Sequence, residues 1–170
     1  MMFITKKKKY ALRAVYELAR HRGQGYIKAI DIAAVQAIPG RFLETILGKL
    51  KRSGLITAKR GFRGGYQLAL TPDQITIGQV LKLMEEADHE SDCVECISKN
   101  NCTLSGKCAF IFLWRKAKSA IDAVYDQTTI EDLLLDQEAL WLNNDDCCKF
   151  LEPSDLQKNR LPEGLIQNRR

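Results

Sequence analysis

The sequence predicts a mainly α-helical chain with one small β-hairpin. Apolar residues recur at helical spacing in several segments, two short segments of strand character flank a glycine-rich turn, and 45% of the 170 residues are hydrophobic, enough to form a core. No apolar run reaches the ~18 residues that a membrane span needs. The lysine-rich start also lacks the apolar region and cleavage site of a secretion signal. We therefore expect a cytoplasmic protein with no membrane partner.

Charge is divided unequally along the chain. The first 70 residues hold fifteen Lys and Arg against three acidic residues, a net charge of +12, whereas the remaining hundred hold eleven basic and eighteen acidic residues, a net charge of −7. A positive half joined to a negative half is typical of a polyanion-binding head attached to a sensing or partner-binding part. The alternative is that the lysines only keep helix surfaces soluble.

Three helices are predicted in the positive half. The first follows an N-cap at Thr5 and runs to about Arg22, with an apolar face of Ala11, Ala14, Val15, Leu18 and Ala19. A short second helix spans residues 30–37, and its inward residues are expected to be Ile30, Ala33 and Ala34. After a break at residues 38–40, a third helix runs from about Arg41 to Ser53 and buries Leu43, Ile46, Leu47 and Leu50, with Gly54 as its left-handed cap.

A basic hairpin is predicted directly after the third helix. Residues 55–59 and 66–70 have strand character, and the turn between them, residues 60–65, is glycine-rich and carries Arg60 and Arg63. Two helices joined by a short break and followed by such a hairpin form a winged helix-turn-helix. In this arrangement the third helix enters the major groove, and the wing lies along phosphates or reaches into the minor groove. Residues 1–72 are therefore predicted to be a DNA-binding domain.

The outward face of the third helix would then contact the bases. Burial of its apolar residues leaves outside Arg41, Glu44, Thr45, Gly48, Lys49 and Arg52. The basic side chains suit guanine or phosphate. Glu44 would either accept from a cytosine amino group or form an ion pair with Lys49 or Lys51, and the sequence favours neither.

Residues 73–143 are predicted to contain a linker helix, a cysteine segment and a dimerisation helix. A capping box at residues 76–79 opens the linker helix. The helix at about 109–126 has a heptad seam formed by Phe110, Trp114, Ala117, Ile121 and Val124. Such a seam favours a homodimer on a palindromic DNA operator, although it could instead pack on its own domain. A second capping box at Thr128–Glu131 begins a last helix to about Asn143, and residues 144–170 are expected to be a disordered tail.

Four cysteines lie within sixteen residues, with the spacing C-x2-C-x5-C-x5-C: Cys93, Cys96, Cys102 and Cys108. Zinc sites usually have two close pairs, and only the first two cysteines form one, so this spacing favours an iron–sulfur cluster. Cys147 and Cys148 are expected to lie outside the site. The two histidines, His21 and His89, have no nucleophile or paired carboxylates at a useful spacing, which argues against an enzyme.

Several of these motifs together resemble the IscR/NsrR/RirA group of bacterial winged-helix regulators. The likeness covers about residues 1–140 and rests on the segments 9–11, 38–44, 49–55 and 60–66, and on the C-x5-C-x5-C followed by Leu113-Trp114. The resemblance implies that Cys96, Cys102 and Cys108 are cluster ligands. It also implies that the DNA face includes Tyr10, Arg41, Glu44, Arg60 and Arg63.

One position departs from that pattern. The IscR branch has a histidine three residues after the last cysteine, and this chain has Ile111. Cys93 is the first candidate for a fourth ligand, and the alternatives are His89, Asp92, Glu95 or a residue from the other subunit's first helix. The missing histidine makes the site more similar to the branches with 4Fe–4S clusters, although a 2Fe–2S site would use the same residues.

The sequence thus leads to one hypothesis and one alternative. The hypothesis is a homodimeric DNA-binding transcriptional regulator whose operator affinity is controlled by an iron–sulfur cluster that senses redox state, nitric oxide or iron. The alternative is a cluster-free regulator with a thiol–disulfide or zinc switch.

Overall fold

The computed structural model describes residues 4–85 and 107–143, with backbone alone for residues 138–143. These residues form six α-helices, a 3-10 turn and a two-stranded antiparallel sheet, which confirms the predicted fold class. The elements are α1 (Lys6–Arg20), α2 (Ala29–Gln36), α3 (Gly40–Arg52), β1 (Ile56–Lys59), β2 (Gly65–Leu68), the 3-10 turn (Pro72–Gln74), α4 (Ile77–Leu83), α5 (Ile111–Gln127) and α6 (Ile130–Asn143). Within the described ranges, no helix has the length and apolarity needed to cross a membrane.

By internal contacts the chain divides into one unit of residues 1–136 and a second of residues 137–170. Of the second unit, only the backbone of the last turns of α6 and the Gln137 side chain are described. The domain limits predicted at residues 72 and 143 stay predictions, and the expected tail lies outside the described residues.

Helix α1 lies at the centre of the first unit, in contact with α2, α3, α4 and β2. The five apolar residues predicted for its inner face are all buried. Thr5 caps the helix as predicted, because its hydroxyl oxygen accepts a hydrogen bond from the backbone N–H of Lys8 at 3.3 Å. The helix ends at Arg20, two residues earlier than expected, and His21 caps it.

The inward face predicted for α2 is wrong in two of its three residues. Ile30 is 73% exposed and Ala34 is exposed, whereas Ile32 is fully buried and Ala33 is half-buried. This eight-residue helix is apolar on almost every side, so its composition does not indicate which side faces the core. A left-handed backbone at Ala37, with φ of 49°, ends the helix and starts the turn into α3.

Helix α3 and the hairpin agree closely with the prediction. Leu43, Ile46, Leu47 and Leu50 are buried, and Gly54 has the expected positive φ, at 80°. The paired strands are slightly shorter than predicted, with Ile56 opposite Leu68 and Lys59 opposite Gly65. One further hydrogen bond, from Ala69 N–H to the Leu55 carbonyl at 2.9 Å, extends the hairpin toward the helix.

The start of α4 is joined to the α5–α6 connection. The predicted capping box at Thr76 and Gln79 is present. The second capping box is displaced by one residue, since Thr129 and Asp132 form it rather than Thr128 and Glu131. Thr128 instead ends α5: its hydroxyl donates to the Val124 carbonyl at 2.8 Å, and its carbonyl accepts from the Ile77 N–H at 2.9 Å.

Two buried charged side chains link α1 to its neighbours. Glu17, 3% exposed, accepts a 2.6 Å hydrogen bond from the Gln36 side chain at the end of α2 and forms a 3.3 Å salt bridge with Arg20. Lys8, 5% exposed, forms a 2.8 Å salt bridge with Glu85, which follows α4. These contacts satisfy charges that would otherwise be costly to bury, and they fix α2 and the end of α4 against α1.

Candidate nucleic-acid interface and metal centre

One face of α3 carries the polar residues that the sequence assigns to DNA contact. Arg41, Thr45, Gly48 and Arg52 follow helical spacing and lie opposite the buried leucines. Arg41, Glu44, Thr45 and Arg52 are exposed, while Gly48 and Lys49 are half-buried. The face thus combines basic donors with one carboxylate.

Thr45 and Glu44 differ in how their side chains are engaged. The Thr45 hydroxyl donates to the Arg41 carbonyl at 3.1 Å, so its methyl group and both hydroxyl lone pairs remain for an outside partner. The Glu44 side chain is exposed. Both roles considered for Glu44, acceptance from a cytosine amino group and ion pairing with Lys49 or Lys51, stay predictions.

Tyr10 on α1 lies beside the start of α3. Its ring centroid is 5.9 Å from that of Phe42, in a tilted arrangement that aromatic pairs favour. Tyr10 is half-buried, and Phe42 is half-exposed. The pair therefore places the Tyr10 side chain next to the N-terminal turn of α3, where Arg41 and Glu44 also lie.

The wing is braced by close backbone contacts. A Cβ added to Gly65 would lie 2.3 Å from the Ile27 carbonyl oxygen, and one added to Gly64 would lie 2.2 Å from the Lys59 carbonyl oxygen. Ile27 and Tyr66 exchange backbone hydrogen bonds of 3.0 and 2.8 Å. Only glycine allows this approach, and the exposed Arg60 and Arg63 are consequently held on a defined turn.

The predicted seam of α5 is open to solvent at both ends. Phe110 and Val124 are exposed, Trp114, Ala117 and Ile121 are half-buried, and no residue of α5 is fully buried. Helix α5 begins at Ile111 with Phe110 as its N-cap and contacts α4. The two ends of the seam are thus exposed, while its three central residues are half-buried.

Only one of the candidate cluster ligands lies among the described residues. Cys108 is a half-buried free thiol two residues before the N-cap of α5, and its carbonyl accepts from the Ile111 N–H at 3.3 Å. Cys93, Cys96 and Cys102 lie outside the described residues, as do His89, Asp92, Glu95, Cys147 and Cys148. Residues 4–85 and 107–143 hold no group of three or more metal-binding side chains.

Residues 4–136 match the profile of Rrf2, described as an iron-dependent transcriptional regulator. This chain belongs to the Rrf2 family. It is 34% identical over 137 residues to the HTH-type transcriptional regulator IscR of Aliivibrio salmonicida, an alignment that covers 81% of this chain and 80% of that protein. As a member of this family, the chain is a DNA-binding helix-turn-helix regulator of transcription rather than an enzyme. The predicted resemblance to the IscR group of regulators is confirmed.

Two solved structures of Rrf2-type regulators are similar to this fold. The superposition on IscR of T. potens has a TM-score of 0.63 at 27% sequence identity and covers 80% of this chain and 88% of the IscR chain. The superposition on the oxidized form of Staphylococcus aureus CymR has a TM-score of 0.59 at 30% sequence identity and covers 78% of this chain and 95% of the CymR chain. Both matches confirm the winged-helix fold.

Some side-chain contacts of the wing were not identified from the sequence. Lys28 lies over the Phe62 ring at 5.2 Å from its centroid, and Lys59 lies over the Tyr26 ring at 5.9 Å. The two cation–π contacts join the wing to the segment before α2. A phenylalanine inside a glycine-rich turn between two arginines was the available signal for Phe62, whereas the lysine partners depend on the tertiary fold.

Proposed function

We propose that this Rrf2-family chain is a homodimer that binds palindromic double-stranded operators and whose operator affinity is controlled by an iron–sulfur cluster. The observation that carries the proposal is the position of Cys108. It ends the cysteine segment and directly precedes α5, which contacts α4, which in turn contacts α1 of the DNA-binding domain. A change in how the cysteines are held therefore has a short route to that domain.

The proposed DNA contacts combine α1, α3 and the wing. Arg41, Lys49 and Arg52 supply donors to phosphate or guanine, while Thr45 and Glu44 contact base edges. Tyr10 contacts the DNA backbone beside α3, and Arg60 and Arg63 bind the phosphates of the adjacent DNA groove. Exposure of both wing arginines and of most of the α3 face supports this assignment.

The donor set suits a cluster. Cys96, Cys102 and Cys108 are soft thiolate ligands, Cys93 is the first candidate for the fourth, and Cys108 is half-buried, as a ligand shielded from solvent would be. Such a cluster would supply sensitivity to oxidants, nitric oxide or iron supply, with 4Fe–4S preferred over 2Fe–2S. Because Cys108 lies just before α5, its bond to the cluster would fix the position of the start of that helix.

A thiol–disulfide or zinc switch is the second candidate. One observation favours it: a related structure at 30% identity is the oxidized form of S. aureus CymR. In that case pairs such as Cys93 and Cys96 or Cys102 and Cys108 would change the same segment without iron.

Anaerobic purification followed by iron, sulfide and zinc analysis tests the proposal. We expect a brown protein with about two or four irons and matching sulfide per chain, and a Cys102→Ala variant that loses most of both. The matched control is Cys147→Ala, which should retain iron and colour. A colourless wild-type protein that binds zinc, or no metal even after anaerobic reconstitution, would contradict cluster control and support the second candidate.

A further inference from the structure

Phe62 is the most exposed large apolar side chain among the described residues, at 90%. Burial on its own chain therefore does not explain an aromatic residue at this position. The wing turn also gives no local reason for one, because glycine, asparagine, aspartate and proline are the residues that tight turns favour. A single exposed apolar residue is common on protein surfaces, so the inference depends on where this one lies.

The backbone places Phe62 at the tip of the wing. The Gly64 N–H donates to the Gly61 carbonyl at 2.9 Å, which makes Phe62 and Arg63 the two central residues of a tight turn. Gly64 is buried against the Lys59 carbonyl, so the turn cannot relax by shifting at that position. The ring thus extends from a braced support rather than from a loose loop.

One cation contacts the ring, and two more are close to it in sequence. The Lys28 Nζ lies 5.2 Å from the ring centroid, while the exposed Arg60 and Arg63 are two residues before and one residue after Phe62. Cations at this density attract the wing to phosphate backbones on either side of a groove, with the aromatic ring between them. Proteins that bind the minor groove frequently insert an apolar side chain between two base pairs, which partly unstacks that step.

We propose that Phe62 is a wedge that enters the minor groove at the operator step facing the wing tip, and that it selects operators by the deformability of that step. Pyrimidine–purine steps unstack most readily, so operators with such a step at this position would bind best. The inference rests on the proposed placement of the wing on DNA. It adds a specificity-determining residue that contacts no base edge by hydrogen bonding.

The test uses the full chain and duplexes that the wild-type protein selects from a random-sequence DNA pool. 2-Aminopurine is placed at successive positions of the flank that the wing would contact. We expect wild-type binding to raise its fluorescence at one step, and Phe62→Ala to abolish that rise and weaken binding about tenfold. Phe62→Leu should retain part of the rise, since leucine also serves as a wedge.

Two variants serve as controls. Phe112→Ala removes another highly exposed phenylalanine, on the side of α5 away from the seam, and should leave both signals unchanged. Arg63→Ala should reduce the slope of log affinity against log salt by about one, whereas Phe62→Ala should leave that slope unchanged. A different salt slope in Phe62→Ala would mean that the variant displaces the phosphate contacts of the wing, which would contradict a purely apolar role.

The outcomes separate this inference from the proposed function. If the wild-type chain selects no DNA, the proposed operator binding fails. If it binds selected duplexes but no position brightens, or if the rise persists in Phe62→Ala, the wedge is wrong while operator binding stands. A change in the selected step in Phe62→Ala, with the half-site otherwise retained, would support the specificity role directly.

Discussion

At the residue scale, the packing of the wing against Ile27 requires a residue without a side chain at position 65, which is Gly65. An alanine there would place its Cβ 2.3 Å from the Ile27 carbonyl oxygen, on a backbone with φ of 150°. We expect Gly65→Ala to lower the free energy of unfolding by about 1–3 kcal/mol and to weaken operator binding, because the backbone at Ile27 must move away. Chemical denaturation and binding to a selected duplex measure the two effects.

Gly48→Ala is the matched control for stability. A Cβ at Gly48 meets only the Arg52 guanidinium, at an ordinary 3.8 Å. Because alanine is favoured over glycine inside a helix, this variant should be more stable by roughly 0.5–1 kcal/mol. Equal effects from the two substitutions would contradict the close approach at the wing.

At the element scale, the connection between α5 and α6 shows which threonine caps which helix. Thr129 accepts from the Asp132 N–H at 3.1 Å, whereas Thr128 donates to a carbonyl of α5. We expect Thr129→Ala to cost about 1 kcal/mol of stability and Thr128→Ala clearly less, since only the first removes an N-cap. Thermal unfolding of both variants measures the difference, and a larger loss in Thr128→Ala would restore the predicted box.

The elements that the sequence predicted well have a strong periodic pattern or a specific turn. Leu43, Ile46, Leu47 and Leu50 define one face of α3 unambiguously, and Gly54 marks its end. Helix α2 has no such pattern, so Ile30 was placed inside although Ile32 is buried. Two adjacent threonines left the α6 cap ambiguous by one residue, and the hydrogen bonds between Thr129 and Asp132 resolve it.

The candidate site was predictable where its signal is local. Basic residues on the outer face of α3 and in the wing follow from helical spacing and turn composition. The Tyr26–Lys59, Lys28–Phe62 and Lys8–Glu85 contacts join residues that are 33, 34 and 77 positions apart, so no local pattern indicates them. Such pairs become visible only when the whole unit is folded.

At the scale of the whole molecule, the α5 seam is expected to join two chains. Val124→Glu would place a charge at the exposed C-terminal end of the proposed apolar seam, and we expect it to give a monomer. Ser119→Glu is the control, because Ser119 is exposed and lies on the opposite side of α5 by helical spacing. Sedimentation analysis of both full-length variants gives the result, and a dimeric Val124→Glu would place the interface elsewhere.

The central claim is that the state of the cysteine centre sets operator affinity. The most direct measurement is the affinity of one selected duplex for anaerobically prepared, cluster-loaded protein and for the same sample after iron removal. Both titrations must be made at the same salt concentration, because phosphate contacts make affinity steeply salt-dependent. We expect the two affinities to differ by about 5- to 150-fold, the range of a typical coupling between sites. Equal affinities, with both samples folded by circular dichroism, would contradict the claim.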